Sequence, residues 1–264
     1  MSESESKIKT KSQKRWLKLP QQPEIAKKIS DKLDVSPVIS QILLNRGLKS
    51  LSEAKQFLSP TSESQRHFQE DILNKFHTLI QNAISNQELL FIYGDYDVDG
   101  MTSTAIMASF LKEIGAQVDY YIPNRFTDGY GLSDTILEKL KKKPYKHLLT
   151  LDCGITNVKE IRKIKEDIKC NIAILDHHTI PKTPPPADII INPKSLDESH
   201  PFWDLCTAGI VYKVIEDYCK KNNTNINVKK YLDLVALGTI ADIAQMKGEN
   251  RFLTKQGLSL LNQK

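Results

Sequence analysis

Short apolar runs alternate with stretches of helical spacing from residue 88 onward. The apolar runs predict five strands, at 89–93, 117–122, 147–151, 171–175 and 188–191. Helical spacing predicts the elements around them, at 102–114, 133–142, 157–167, 206–221 and 228–241. Strands that alternate with helices in this way predict an α/β fold, in which a mostly parallel sheet is flanked by helices on both faces.

The residues before the first strand follow a helical pattern instead. Ser36 and Pro37 are typical of a helix start, and Gly47 is typical of a helix end. Ser50 and Glu53 have the spacing of a capping box for a second short helix, which should end near Pro60. The α/β domain is therefore expected to carry an amino-terminal helical extension.

Pattern and composition divide the chain into four segments. Residues 1–14 are polar and charged, which predicts a disordered tail. Residues 15–86 form the predicted helical amino-terminal region, and residues 87–246 form the predicted α/β domain. Residues 247–264 have the pattern of the start of a further helix.

Composition excludes several classes of protein. The 264 residues are 26% charged and 40% hydrophobic, and no apolar run approaches the roughly 20 residues that span a bilayer. The amino terminus lacks the apolar core of a signal peptide. Four cysteines without CxxC spacing predict a reducing cytoplasm, with neither a zinc knuckle nor a disulfide framework. The net charge of +5 allows an anionic partner without establishing one.

Three aspartates, Asp95, Asp97 and Asp99, follow the first predicted strand at alternate positions. Like charges at the end of a strand repel one another unless a cation neutralises them. A calcium loop is one alternative, but its twelfth position requires a glutamate, and here that position is Ile106. A solvated acidic turn is the remaining alternative to a metal site.

Acids and histidines recur where later elements end. Asp152 ends the third predicted strand, and Asp176, His177 and His178 end the fourth, while Asp242 ends a later helix. Because the carboxyl ends of parallel strands meet at one edge of a sheet, these residues are expected to converge with the three aspartates. Carboxylates mixed with imidazole suit Mn²⁺ or Mg²⁺. So many carboxylates suit two ions, which indicates phosphoester hydrolysis.

Four segments carry these acids and histidines in a set order: Asp95–Gly100, Asp152–Gly154, Asp176–His178 and Gly238–Asp242. Together they resemble the signature motifs of the DHH phosphoesterase superfamily. Further segments are similar to its RecJ branch, the single-strand-specific DNA exonucleases: Val35–Pro60, Ile122–Ser133, Ile191–Pro193, Cys206–Gly209 and Gly248–Arg251. The resemblance covers nearly all of residues 15–264.

The resemblance implies six metal ligands, which are Asp95, Asp97, Asp99, Asp152, His177 and Asp242. Asp152 would bridge two ions of Mn²⁺ or Mg²⁺. Asp95 and Asp97 would hold one of these ions, and the remaining three ligands would hold the other.

The resemblance also implies residues that act on the substrate. Catalytic roles fall to Asp152, His177, His178 and Asp176. His178 would face the scissile phosphate, and Asp176 would orient a histidine. Ala208 and Gly209, at a helix start, could offer N–H groups to phosphate. Arg125 and Arg251 are candidate phosphate clamps, with a solvated surface position as the alternative for each.

The function that the resemblance implies is 5′→3′ exonuclease activity on single-stranded DNA, in recombination and repair. The implied partners are single-stranded DNA and other recombination and repair proteins, and the protein is expected to be a cytoplasmic monomer without membrane association. Members of this branch continue from the connecting helix into a DHH-associated domain and an OB-fold. Residues 247–264 resemble the start of that helix, so we expect the following domains to be absent and activity to be impaired.

Two other functions stay open from the sequence. The chain could be a phosphoesterase for short oligonucleotides or small phosphorylated nucleotides, because the half that would complete a DNA groove is expected to be absent. It could also be a non-catalytic scaffold that binds nucleic acid, as one branch of the superfamily is. Loss of metal ligands would mark that branch, and here every expected ligand is present.

Overall fold

The computed structural model describes residues 19–62, 67–128, 131–132 and 134–263. The predicted tail at 1–14 lies outside these residues. The chain forms two compact units, whose boundary in the sequence falls between Pro60 and Thr61. Within the described part, no helix has both the length and the apolar character needed to cross a membrane.

The first unit contains three short helices, α1 (Pro23–Leu33), α2 (Pro37–Asn45) and α3 (Leu51–Leu58). The Ser36 side chain accepts the Ile39 N–H and caps α2, as the sequence predicts. The capping box of Ser50 and Glu53 is also confirmed at the start of α3. Apolar residues from all three helices form a small core of their own: Ala26, Ile29, Leu43, Leu44 and Ala54.

The second unit is built on five strands, β1 (Leu89–Gly94), β2 (Val118–Tyr121), β3 (Tyr145–Leu151), β4 (Asn171–Leu175) and β5 (Ile189–Ile191). The strands form one sheet in the order β2-β1-β3-β4-β5. Every neighbouring pair is parallel. The predicted α/β fold with a parallel sheet is therefore confirmed, and each strand lies within two residues of its predicted bounds.

Helices cover both faces of this sheet: α4 (Glu70–Ser85), α5 (Val98–Glu113), α6 (Asp134–Leu140), α7 (Val158–Ile168), α8 (Thr207–Lys221), α9 (Leu232–Ala241) and α10 (Gly248–Leu261). Successive strand residues point to opposite faces, so Leu90 and Ile92 join the core shared with α4, α5, α8 and α9. Phe91 and Tyr93 join the core on the other face, with α6 and α7. Burial on both faces explains why β1 and β4 contain continuous apolar runs.

Two of the differences from the predicted boundaries bear on the core and on the site. Helix α4 was grouped by pattern with the amino-terminal region, but its apolar residues Leu73, Phe76 and Ile80 belong to the core of the sheet. Helix α5 was predicted to begin at 102 and begins at Val98, because the Asp97 side chain accepts the Gly100 N–H and caps the helix four residues earlier. The early start places Asp99 in the first turn of α5.

Candidate active site

The predicted site residues gather where the strand order reverses. Strands β1 and β3 are neighbours at this point, although β2 intervenes between them in the sequence. Ligand sites of open α/β sheets lie outside the carboxyl ends of the strands at such a switch point. The Asp95 N–H donates to the Leu151 carbonyl, and the Asp152 N–H donates to the Leu175 carbonyl. The sheet therefore sets the two aspartates side by side, with Asp176 at the end of the next strand.

Potential ligand atoms of the predicted residues form three groups. Within each group, all of these atoms lie within 4.8 Å of one another. These groups are Asp95, Asp97 and Asp152; Asp99, His177 and Asp242; and Asp152, His177 and His178. All six predicted metal ligands are brought together in this way. Asp152 shares a group with Asp95 and Asp97, and the other three predicted ligands form a group of their own.

Asp152 lies at the centre of the cluster. Its side chain is buried, and its backbone is left-handed, with φ of 65°. Its Oδ1 accepts the Thr207 hydroxyl at 2.9 Å and lies 3.3 Å from His177 Nε2. Burial, and then the charges of Asp99 and Asp97, raise the pKa of Asp152 to about 11. A cation at this position would remove most of that electrostatic cost.

The other carboxylates show the same need for positive charge. Burial is the main cause of a raised pKa at Asp95, Asp99 and Asp242. Two buried atoms of the cluster, Asp95 Oδ1 and His177 Nε2, have no hydrogen-bond partner among the residues that the structure describes. Unpartnered buried acceptors next to crowded carboxylates fit a bound cation.

Asp99 is held by the amino terminus of α8. Its two carboxylate oxygens accept the Thr207 N–H at 2.7 Å and the Ala208 N–H at 2.9 Å. The Ala208 N–H was expected to be available to phosphate, and in the structure it is occupied by Asp99. Gly209 is buried in the same first turn of the helix. Ala208 therefore supports a candidate metal ligand through its N–H, which is not free for a substrate phosphate.

Close packing of α9 completes the cluster. A Cβ atom on Gly238 would lie 2.6 Å from Thr102 Oγ1 and 2.8 Å from Asp99 Oδ1. Only glycine at position 238 therefore lets α9 approach α5 this closely. The close approach allows Asp242, which directly follows α9, to reach His177. The separation between His177 Nε2 and Asp242 Oδ1 is 3.7 Å.

Asp176 contacts the second of the two adjacent histidines. Its Oδ1 accepts both the backbone N–H of His178, at 3.0 Å, and the ring Nδ1–H, at 2.7 Å. Burial acts to raise the pKa of Asp176, but the hydrogen bonds from His178 outweigh it and the net pKa is lowered. The bond to Asp176 in turn raises the pKa of His178. With Nδ1 donating to Asp176, Nε2 is the ring atom left to face a ligand.

The two candidate arginines lie in different settings. The Arg125 guanidinium stacks 5.4 Å from the ring centre of Tyr96, which stands between Asp95 and Asp97. Arg251 is half-buried in α10. Arg125 is thus placed beside the cluster by its contact with Tyr96.

Sequence reasoning missed Thr207, which bonds to both Asp99 and Asp152. A signal was present, because a hydroxyl residue at the start of a helix is often a hydrogen-bonding residue. Its partners are remote in the sequence, at separations of 108 and 55 residues, so the sequence alone did not connect them.

A parallel α/β sheet with a carboxylate–imidazole cluster at its switch point defines a class, the α/β proteins with a candidate two-metal site. A family model described as "DHH family, N-terminal domain" matches residues 89–239, more than half of the chain. The chain therefore belongs to the DHH family, as the sequence motifs predict.

Several relatives are RecJ proteins. The single-stranded-DNA-specific exonuclease RecJ of Bacillus subtilis is 32% identical over 252 residues, which are 95% of this chain and 31% of that protein. RecJ of Haemophilus influenzae is 33% identical over 87% of this chain and 41% of its own length. The crystal structure of RecJ in complex with Mn²⁺ from Thermus thermophilus has a TM-score of 0.72 at 30% identity, and covers 92% of this chain and 34% of that one. This chain thus spans 31% to 41% of these relatives.

Proposed function

We propose that this chain hydrolyses phosphodiester bonds of single-stranded DNA in the 5′→3′ direction, with two divalent ions, and that it serves recombination and repair. The observation that carries the proposal is the convergence of six predicted ligands into groups no more than 4.8 Å across. Within the described residues, one buried atom of Asp95 and one of His177 also lack a hydrogen-bond partner. The names of the RecJ relatives support single-stranded DNA as the substrate.

The donor set suits Mn²⁺ or Mg²⁺, because these ions prefer carboxylate oxygen and accept imidazole. Asp95, Asp97 and Asp152 would hold one ion, and the group of Asp99, His177 and Asp242 would hold the other. When bound, the ions would supply Lewis-acid polarisation of the phosphoryl group and activation of the attacking water. A cluster with so few thiols and so many carboxylates does not suit a structural zinc ion.

His178 is the residue we assign to the phosphoryl group itself. The bond from its Nδ1 to Asp176 orients the ring and favours the protonated form, so Nε2 can donate a hydrogen bond to a phosphate oxygen. Arg125 and Tyr96 lie beside the cluster, where a guanidinium and an aromatic ring could hold the backbone and a base of a single strand. The proposed ligand roles thus rest on the grouping of the acids with His177, whereas the proposed role of His178 rests on its bond to Asp176.

A nuclease assay tests the proposal. A 5′-labelled single strand, a duplex and a dinucleotide are incubated with the chain in Mn²⁺ and in EDTA, beside the variant Asp152→Asn. We expect Mn²⁺-dependent release of mononucleotides from the 5′ end of the single strand, and a loss of at least about 10³-fold in the variant. The exposed substitution Glu138→Gln is the matched control and should leave the rate unchanged.

Each other outcome has a defined meaning. Cleavage of the dinucleotide alone would replace the proposal by a phosphoesterase for short oligonucleotides. Binding of the single strand without Mn²⁺-dependent cleavage of any substrate would replace it by a nucleic-acid-binding scaffold.

A further inference from the structure

The amino terminus of α8 lies between two of the candidate metal ligands. Thr207, its first residue, is fully buried. The Thr207 N–H donates to Asp99 Oδ2 at 2.7 Å, and the Thr207 hydroxyl donates to Asp152 Oδ1 at 2.9 Å. One residue therefore contacts a carboxylate from each of two different ligand groups.

These bonds act on the charge of the cluster. A helix amino terminus carries a partial positive charge and unpaired N–H donors, so it stabilises a nearby carboxylate. Asp99 receives two such N–H donors, from Thr207 and Ala208. Asp152 receives the hydroxyl instead. The helix thus lowers the repulsion between the buried carboxylates of Asp99 and Asp152. In the described part of the chain, neither carboxylate forms an ion pair with a lysine or an arginine.

The same bonds leave room for a cation. An ionised carboxylate offers about four lone-pair positions. Asp99 uses two for the N–H groups, and Asp152 uses one for the Thr207 hydroxyl. The remaining positions stay open, so the hydrogen bonds orient the two carboxylates without competing for the ion.

The hydrogen bond from the Thr207 hydroxyl to Asp152 would persist when an ion binds. His177 Nε2 lies 3.3 Å from the same oxygen of Asp152. A histidine that binds a metal uses the lone pair of its ring nitrogen, so a metal-bound Nε2 could not donate to Asp152. The Thr207 hydroxyl donates its proton in either case.

We infer that Thr207 is a positioning residue of the metal centre. Its hydroxyl holds the Asp152 carboxylate, and its N–H holds the Asp99 carboxylate, so that the two ligands keep the relative placement that two ions require. The inference rests on the proposed function, because it assumes that the cluster binds divalent ions. Thr207 would act through these ligands and would not touch the substrate.

Two substitutions separate the hydroxyl from the shape of the side chain. Thr207→Val keeps a branched side chain and removes the hydroxyl, whereas Thr207→Ser keeps the hydroxyl. Both retain the backbone N–H that Asp99 accepts. Calorimetric titration of the full chain with Mn²⁺ should show affinity weakened about tenfold or more in Thr207→Val, as for other partners of metal ligands, and nearly natural affinity in Thr207→Ser.

The Mn²⁺ dependence of hydrolysis provides a second readout. The half-saturating Mn²⁺ concentration should rise in Thr207→Val, and the rate should largely recover at saturating Mn²⁺. A purely structural role would lower the stability of the metal-free chain and leave the half-saturating concentration unchanged. If circular dichroism shows that Thr207→Val is unfolded, Thr207→Ala replaces it in the comparison with Thr207→Ser.

The outcomes separate this inference from the proposed function. Natural-like Mn²⁺ affinity in Thr207→Val, together with Mn²⁺ binding by the natural chain, would overturn the role of Thr207 alone. Equal weakening in the valine and serine variants would also overturn it, because the hydroxyl would not matter. Absence of Mn²⁺ binding by the natural chain would overturn both.

Discussion

The two edges of the sheet use the same kinds of residue in opposite ways. At the amino edge, Glu88 is paired with His147 at 2.8 Å. Asp188 accepts the Ile172 N–H at 2.8 Å and pairs with Lys165 at 2.6 Å. Each acid there has a donor within the protein. At the carboxyl edge, ligand atoms of the acids instead lie within 4.8 Å of one another, and Asp95 Oδ1 has no hydrogen-bond partner among the described residues.

The pairs at the amino edge stabilise the fold, whereas the crowded acids at the carboxyl edge have the arrangement of a candidate binding site. At the amino edge, each acid accepts from a donor of opposite or neutral charge, so its hydrogen-bonding needs are satisfied. Crowded acids at the carboxyl edge raise the pKa of Asp152 to about 11, first through burial and then through like charge. An arrangement that costs folding free energy and is nevertheless kept is typical of a functional site.

The largest expected effect is the loss of Mn²⁺ stabilisation when the carboxyl edge is changed. Mn²⁺ at about one hundred times its dissociation constant should stabilise the natural chain against urea by about 2.7 kcal/mol. In Asp152→Asn this gain should vanish, because the central ligand is weakened. Glu88→Ala, at the other edge, should lose about 1–3 kcal/mol of stability, because the buried His147 Nε2 loses its partner, and should still gain from Mn²⁺.

The variants Asp152→Asn and Glu88→Ala test whether Mn²⁺ binds at the carboxyl edge and whether the two edges act independently. An undiminished Mn²⁺ gain in Asp152→Asn would show that the ion binds elsewhere. Loss of the Mn²⁺ gain in Glu88→Ala would show that the two edges are coupled through the strands.

A smaller effect is expected from pH in the absence of metal. Asp95, Asp99, Asp152 and Asp242 have a raised pKa in the fold, whereas the unfolded chain ionises near 3.8. The folded state therefore retains protons that the unfolded state releases, and stability falls as pH rises above about 4. Each retained proton changes the unfolding free energy by about 1.4 kcal/mol between pH 6 and pH 7.

Urea unfolding in EDTA at a series of pH values measures this slope. Asp152→Asn should make the decline shallower by about one proton, because the pKa of Asp152 is raised to about 11 and its proton is retained across this range. An unchanged slope in the variant would mean that Asp152 is ionised in the metal-free fold. Bound Mn²⁺ should flatten the decline, since it keeps the carboxylates ionised.

The smallest expected effect concerns backbone strain beside Asp242. Ile243 is 88% exposed and has a left-handed backbone, with φ of 57°. A branched residue is strained there, so Ile243→Gly should stabilise the chain by up to about 1 kcal/mol in urea unfolding. Leu237→Gly, inside α9, should destabilise it by about the same amount. Weaker Mn²⁺ binding in Ile243→Gly would show instead that the strain helps to place Asp242.

Much of the fold could be predicted because its signals are local. Continuous apolar runs marked the strands, and the capping box of Ser50 and Glu53 marked α3. The start of α5 was missed because Asp97 serves as a cap as well as a candidate ligand, and its capping role depends on the turn after β1. The place of α4 was missed because an apolar stripe does not specify which core it joins.

Local patterns were enough to identify the candidate ligands, because these acids and histidines stand at strand and helix ends. Their hydrogen-bond partners could be assigned only from the packing of the folded elements. Packing of α8 against α5 turned the N–H groups of Thr207 and Ala208 toward Asp99, where a phosphate site was expected. The turn after β4 places the His178 ring in a hydrogen bond with Asp176. The same turn places His177 Nε2 close to the Asp152 carboxylate. Hydrogen-bond partners that are remote along the chain depend on how elements pack, and no local pattern encodes that packing.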